Sequence, residues 1–361
     1  MRWPWRRQGS GDQLALSWSG QTLAYVLARV GADGAPQVLK MGIERQGADS
    51  TQDFVHRLQG LGLKDLAVRV MLRPEQYQLL QIDAPAVAPD ELRAAARYQI
   101  KDMLHAHVDD VTLDVMRVGD GQQKGAGNLF VVAATNAVVR SVLDLGDIMH
   151  WSVPVIDIQE TAQRNLQSAL VARDGSADRA NAALVLVEGH QAVLTISANE
   201  ELFYTRRFEL PEGFLTASWG QGSAASAGLS GAFTPVDEYV PDYSVGGVSY
   251  GNDYTATRAV HPEAITGAGV NDGAQRFLVE VQRSLDGWDR SWSSMPLNGM
   301  RVYAGERSAE LSTWLAQQLG QTVVPMEVNA LFPGFESGAA AEQALCLPLL
   351  GVLLRTEGRK L

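Results

Sequence analysis

Two stretches decide the fold: QLALSWSGQTLAYVLAR at Gln13–Arg29 and AALVLVEGHQAVLTIS at Ala182–Ser197. Each is a run of Leu, Ala, Val and Ile broken by a glycine-containing turn, Ser19-Gly20 in the first and Gly189-His190 in the second. That pattern reads as strand, tight turn, strand. One chain with two such hairpins predicts a duplicated α/β domain. In phosphate-binding proteins built this way, the turn backbone cradles phosphate and an acid at the end of the first strand holds the metal. The matching positions here are Ser17 and Leu186. Neither is acidic, so the architecture reads as that of an ATPase whose metal chemistry is missing.

Working outward from the first hairpin, Val38–Glu44 reads as a third strand. Thr51–Leu61 reads as a helix with Phe54, Val55 and Leu58 on one face and Ser50 or Thr51 as its cap. Leu66–Leu72 alternates like a strand. Residues 75–150 then read as a small inserted unit of order β-α-β-β-α. Its segments are Gln78–Asp83, a helix at Asp90–Leu104, strands at Val111–Val118 and Leu129–Thr135, and a helix at Ala137–His150. Val153–Ile158 returns as a strand and Glu160–Arg173 as a helix.

After the second hairpin, Glu201–Leu210 adds a strand. From 216 to 270 the chain is rich in Gly, Ser, Ala, Tyr and Asp without periodicity, and is expected to be a disordered insertion. Order resumes at Gln275–Arg290, where Phe277, Val281, Leu285 and Trp288 form one stripe. A strand at Met300–Ala304, a helix at Ser308–Leu319, a short strand at Thr322–Glu327 and a helix at Ala341–Leu354 interrupted at Pro348 complete the chain. The organisation is a tail at 1–11, a first half at 12–74 and 151–180 with the unit at 75–150 inserted, and a second half at 181–361.

The chain has 361 residues, 46% of them hydrophobic and 20% charged, which is ordinary globular composition. A net charge of −11 argues against nonspecific nucleic-acid binding. The single cysteine, Cys346, lies in an apolar run and reads as a core residue. Arg2, Arg6 and Arg7 have no apolar core after them, so no secretory signal is read. The run Ala344–Leu354 is far short of the roughly 20 residues that a membrane span needs. The expected location is therefore cytosolic. Trp3 and Trp5 among those arginines could touch lipid headgroups, but the segment is short and reads as a flexible tail.

The stretch from PEQYQLLQIDAP to DELRAAARYQIKDML at Pro74–Leu104 resembles PilM-like type IV pilus assembly proteins, most closely the MshI branch of the MSHA pilus. VIDIQETAQRN at Val155–Asn165, VEVQRSLDGW at Val279–Trp288 and LPLLGVLLR at Leu347–Arg355 are similar to further segments of that family, in the same order. The resemblance implies a duplicated actin-like, ribonuclease-H-like ATPase fold with a small subdomain in the first half. It implies a cytoplasmic protein, peripheral at the inner membrane, that binds the cytosolic N-terminal tail of a PilN-like, MshJ-like membrane partner. The cytoplasmic part of GspL in type II secretion is similar in fold and role.

ATP-binding members carry D-I-G-S-S at the first turn and D-I-G at the second. Here those positions are Ser17-Trp18-Ser19-Gly20-Gln21 and Leu186-Val187-Glu188, followed by Gly189. The family's adenosine-contacting glycine pair corresponds to Ala304-Gly305. With both aspartates replaced, a non-hydrolysing pseudo-ATPase adaptor without a cofactor is expected, since hydrolysis needs a clamp on the developing phosphate charge. Binding of ATP, with or without magnesium, stays open. So do an active enzyme using Glu188 as a replacement acid, and a filament-forming scaffold. Trp18 either crowds an approaching phosphate or packs in the core. His105 and His107 have no evident third metal ligand. Arg97, Tyr98 and Lys101 on the subdomain helix are the candidate partner-binding residues, beside a groove between the first half and the subdomain.

Overall fold

The computed structural model describes residues 11–31, 36–119, 127–176, 178–187, 190–219 and 268–355. The tail, the Glu188-Gly189 turn and most of the 216–270 segment lie outside them. The chain runs β1 (Asp12–Ser19), β2 (Thr22–Val30), β3 (Pro36–Arg45), α1 (Thr51–Gly60), β4 (Ala67–Leu72), β5 (Tyr77–Asp83), α2 (Leu92–Ile100), β6 (Val111–Arg117), β7 (Asn128–Thr135), α3 (Asn136–Met149), β8 (Ser152–Ile158), α4 (Gln159–Arg173), β9 (Ala180–Val187), β10 (Gln191–Ala198), β11 (Glu201–Glu209), α5 (Ala268–Ser291), β12 (Leu297–Tyr303), α6 (Ser308–Leu319), β13 (Val323–Pro325) and α7 (Ala340–Leu353). Among the described residues, no helix is long and apolar enough to cross a membrane.

The duplication is visible in strand order. The first sheet is β3-β2-β1-β4-β8 and the second is β11-β10-β9-β12-β13. In both, three strands run antiparallel and the last two join in parallel. Between β4 and β8 the chain departs to build a separate antiparallel sheet, β5-β7-β6. Ser19 pairs with Thr22, so the first hairpin closes through Gly20-Gln21, with Gly20 at φ +58°. A two-residue hairpin demands that left-handed conformation, and glycine adopts it without steric cost.

Alternation along the strands sorts the side chains into layers. Leu14 and Leu16 face the core shared with α1 and α3, whereas Ala15 faces the middle of the molecule. In the second sheet Ala182, Leu184 and Leu186 face α5 and α6, whereas Ala183 and Val185 face the middle. That middle layer holds α4 and α7, between the two halves.

α4 is buried over most of its circumference, polar residues included. Two glutamines make that tolerable. Gln163 donates to the carbonyls of Ala183 (2.7 Å) and Val193 (2.9 Å), and Gln167 donates to that of Ala182 (2.9 Å). These bonds tie the connecting helix to the second sheet, and satisfied donors avoid the cost of burial. α7 crosses α4 so closely that a Cβ on Gly351 would lie 1.9 Å from the Ala162 carbonyl oxygen. Arg69, buried on β4, donates to the carbonyls of Val352 (3.2 Å) and Leu353 (2.7 Å) at the far end of α7.

Several boundaries differ from expectation. α7 continues through Pro348 instead of breaking there. The roughly 3 kcal/mol a mid-helix proline costs is offset by burial of Cys346, Leu347, Leu349, Leu350 and Val352, at about 1.5–3 kcal/mol for each large side chain. α2 is shorter than Asp90–Leu104. It stops at Ile100, where Met103 turns back onto the Ile100 carbonyl and His105 donates its amide to Gln78 Oε1. Of the segment expected to be an insertion from 216, Ala217 and Trp219 are buried in the second-half core. Apolar residues there dock beside Phe214 and Phe277 although the local pattern has no period. α5 begins at Ala268, earlier than expected, and buries its Phe277, Val281, Leu285 and Trp288 stripe. The open edge of the first sheet is covered where the Val38 amide donates to the Pro333 carbonyl (2.9 Å).

The helix crossing leaves no room for a methyl group, and its neighbour is backbone that cannot turn aside. Gly351→Ala is expected to cost about 3 kcal/mol or more, measured by urea unfolding. Burial pushes the Cys346 thiol from 9.0 up to about 12. A raised value means that the folded state favours the protonated thiol. Its contribution is full below pH 9 and is lost as pH rises towards 12. Between pH 9 and 10, the thiol should lower stability by on the order of 1 kcal/mol per pH unit, and Cys346→Ala should reduce the slope by that amount in urea titrations, leaving the part due to the buried tyrosines.

Candidate functional site in the cleft between the halves

The predicted site begins at the end of β1. Ser17 is 1% exposed and lies on the middle-facing side of the sheet. Just beyond β4 comes Arg73, also buried. Its Nε donates to Ser17 Oγ and its Nη2 to the Thr22 carbonyl, both at 3.4 Å. The next three residues are stapled to the first turn. Gln76 receives the Arg73 amide (2.9 Å) and donates to the Trp18 carbonyl (2.8 Å), and Ser19 Oγ donates to Glu75 Oε1 (2.6 Å). The Gln21 carbonyl accepts from the Gln46 amide (2.8 Å). Trp18 packs with the core around Leu14 and Leu16, on the opposite face from Ser17, so it does not crowd the cleft.

A guanidinium therefore stands beside the position where a metal-holding acid would be. Arginine cannot shed its charge in a protein and offers no lone pair to a metal, so this pair supplies no anionic ligand. Ser17 with Arg73 does not fit a magnesium ion. Among the described residues no three His, Cys, Asp or Glu side chains converge as a metal cluster.

The second hairpin corrects the alignment of Leu186. That side chain is buried with α5 and α6, on the outer face of its sheet. The face that meets the first half is carried by Val185, and by alternation Val187. The physical cause is turn length. Val187 pairs with Gln191 across three residues, whereas Ser19 pairs with Thr22 across two, so a match by sequence slips by one position and exchanges faces. Val187 is no more acidic than Leu186.

Ala304 and Gly305 form the turn between β12 and α6, with Gly305 at φ +60°. Ser308 Oγ accepts from the Ala304 amide (2.9 Å) and donates to the Gly305 carbonyl (2.6 Å), so a local hydroxyl already serves that backbone.

Arg97, Tyr98 and Lys101 are not part of this cleft. Arg97 and Tyr98 lie on α2 and Lys101 caps it; this helix covers the face of the small sheet opposite α3. Arg97 donates to the carbonyls of Val108 and Val111 (2.8 Å for the latter), which makes it a brace inside the subdomain and not a free docking residue. Tyr98 is 74% exposed, with Lys101 Nζ 4.8 Å from its ring centroid.

Sequence reading missed the most buried charge of the cleft. Glu160, in the first turn of α4, is fully buried. It accepts from the Tyr77 hydroxyl and from Arg207 Nε (2.8 Å). Arg207 also donates to the Pro74 carbonyl (2.7 Å), with its guanidinium 4.5 Å over the Tyr77 ring. The Tyr77 oxygen accepts from the Gln159 amide (3.2 Å). Burial first, then the Glu160 charge, hold the Tyr77 hydroxyl well above 10, so it stays a donor. Burial opposes the Arg207 charge, but Tyr77 and Glu160 outweigh it and raise its pKa. Three residues before Glu160, Asp157 is buried and accepts from Arg355 (2.7 Å), the Ile158 amide (2.9 Å) and Thr161. The only signal was that both acids sit in VIDIQETAQRN, one of the stretches that carry the family resemblance.

This arrangement of two sheets in the same strand order, flanking two central helices, is a duplicated actin-like α/β fold. No family model matches the sequence, and no curated protein matches it. Among solved structures, the chain is similar to one of the PilM-PilN type IV pilus biogenesis complex. The TM-score is 0.62 and the identity 15%, covering 95% of this chain and 99% of that one. The cytoplasmic domain of EpsL, an inner membrane component of the type II secretion system of Vibrio cholerae, gives a TM-score of 0.40 at 16% identity, over 59% of this chain and 78% of that one. A Bacteroides thetaiotaomicron protein with an actin-like ATPase fold gives 0.44 at 7% identity, over 92% and 95%. The first likeness is one of fold; the other two are too distant to argue from.

Tyr77→Phe keeps the ring and removes one donor from a buried carboxylate and one acceptor from the Gln159 amide. The expected loss is about 1–3 kcal/mol in urea unfolding.

Proposed function

We propose that this chain is a non-hydrolysing adaptor of a type IV pilus assembly machine, placed at the cytoplasmic side of the inner membrane by a PilN-like partner whose cytosolic tail it binds. The observation that carries this reading is the similarity of fold, over nearly the full length of both chains, to a PilM-PilN complex. The MSHA system, with an MshJ-like partner, is the finer assignment, and it rests on the sequence resemblance. The buried Ser17–Arg73 contact supports the loss of hydrolysis, because a fixed cation replaces the acid that would hold a metal. No cofactor is required in this role.

The tail would lie in the groove between the first half and the small subdomain, held by backbone bonds and a few side-chain pockets. Tyr98 and Lys101 offer an exposed aromatic and a charge on the opposite face of the subdomain, outside that groove. A second reading is nucleotide binding, favoured by the left-handed Gly20 turn that closes the first hairpin. A GspL-like role in secretion is a third.

Titration of a labelled synthetic tail of the partner should give saturable binding at micromolar concentration. Its absence at high micromolar concentration would overturn the adaptor reading. Tyr98→Ala, on the face of the subdomain away from that groove, should leave tail binding and the melting temperature unchanged, while Arg97→Ala should lower the melting temperature. Magnesium-dependent ATP turnover should equal that of buffer. Turnover abolished by Glu188→Ala would establish an active enzyme instead.

A further inference from the structure

β11 forms one edge of the second sheet, with its start fastened to the inserted subdomain and its end to the first half. Near its start, the Leu202 carbonyl accepts from the Gly119 amide (2.8 Å), which follows β6 of the small sheet. Gly119 has φ +67°, and a Cβ there would lie 2.4 Å from the Phe203 ring, so the two chains meet at a distance only glycine allows. Val118, Phe130 and Leu202 close an apolar seam around that bond, with Leu79, Met116 and Trp292 against it. Near its end, Arg207 grips Glu160, the Pro74 carbonyl and the face of Tyr77.

We propose that β11 is a latch that holds the two halves closed with no nucleotide between them. Opening the cleft at the Arg207 end would strand a carboxylate that is 0% exposed, and at the Gly119 end it would bare the seam. Removing the arginine from a buried carboxylate is costly because the charge left behind is uncompensated. Tyr77 begins the first strand of the small sheet and Gly119 follows its second, so the latch also fixes the subdomain's angle to the second half. The chain's own arginine sets that angle. The proposal goes beyond the adaptor reading and does not depend on it.

The test is amide hydrogen exchange on the full chain, with small-angle scattering alongside. The wild-type radius of gyration and exchange pattern should be unchanged by magnesium and ATP. Arg207→Ala should accelerate exchange in β11 and the first turn of α4 by about tenfold or more while leaving α1 and α2 as they are, the signature of local opening. Gly119→Ala, whose methyl group meets Phe203, should do the same from the other end. Should Arg207→Ala fail to fold, Arg207→Lys retains the charge and should show a smaller acceleration confined to the same segments. Compaction of the wild type on adding ATP, or wild-type exchange in both Arg207→Lys and Gly119→Ala, would overturn the latch. Binding of the partner tail is a separate readout, so failure of one idea does not imitate failure of the other.

Discussion

Everything in the molecule leans on the crossing of α4 and α7. Neither sheet touches the other directly through a wide face; each packs on these helices, whose apolar residues form one core with Ala15, Val26, Ala183 and Val185. The crossing is close because Gly351 presents no side chain to the Ala162 carbonyl. That closeness lets Arg69 reach the end of α7 and places the head of α4, with Glu160, under Arg207. The cleft's geometry follows from the distance between two helices.

Two arginines brace the cleft from within. A metal-dependent phosphate site concentrates acids and leaves room for a cation. Here Arg73 lies beside Ser17 and Arg207 beside Glu160, and their partners are serine, tyrosine, glutamate and carbonyls of the chain. Both guanidiniums hold segments of the chain together.

Much of the fold was legible because its strands are apolar runs and its helices carry clear stripes. Both hairpins, the subdomain order and the α5 stripe could be read from spacing alone. Leu186 could not be assigned to a face, because one extra turn residue reverses alternation and no local signal reports turn length. Pro348 read as a break because propensity ignores the burial on every side that holds the helix through it. Glu160 and Arg207 were missed for a different reason. A charged residue in an amphipathic pattern reads as solvated, and its partner lies 47 positions away in sequence. Arg97 shows the converse error: a basic side chain on an exposed helix turned out to serve carbonyls of its own subdomain.

The contact between Val38 and Pro333 carries a consequence for how the chain is made. An uncovered sheet edge is a template on which other chains can pair. The segment that covers this one, and the α7 helix that underlies the sheet, come near the end of the sequence. At ordinary rates of synthesis the first three strands wait on the order of tens of seconds for them. The edge strand of the first sheet is thus made long before the segment that protects it, and its unpaired backbone stays open to other chains for that interval.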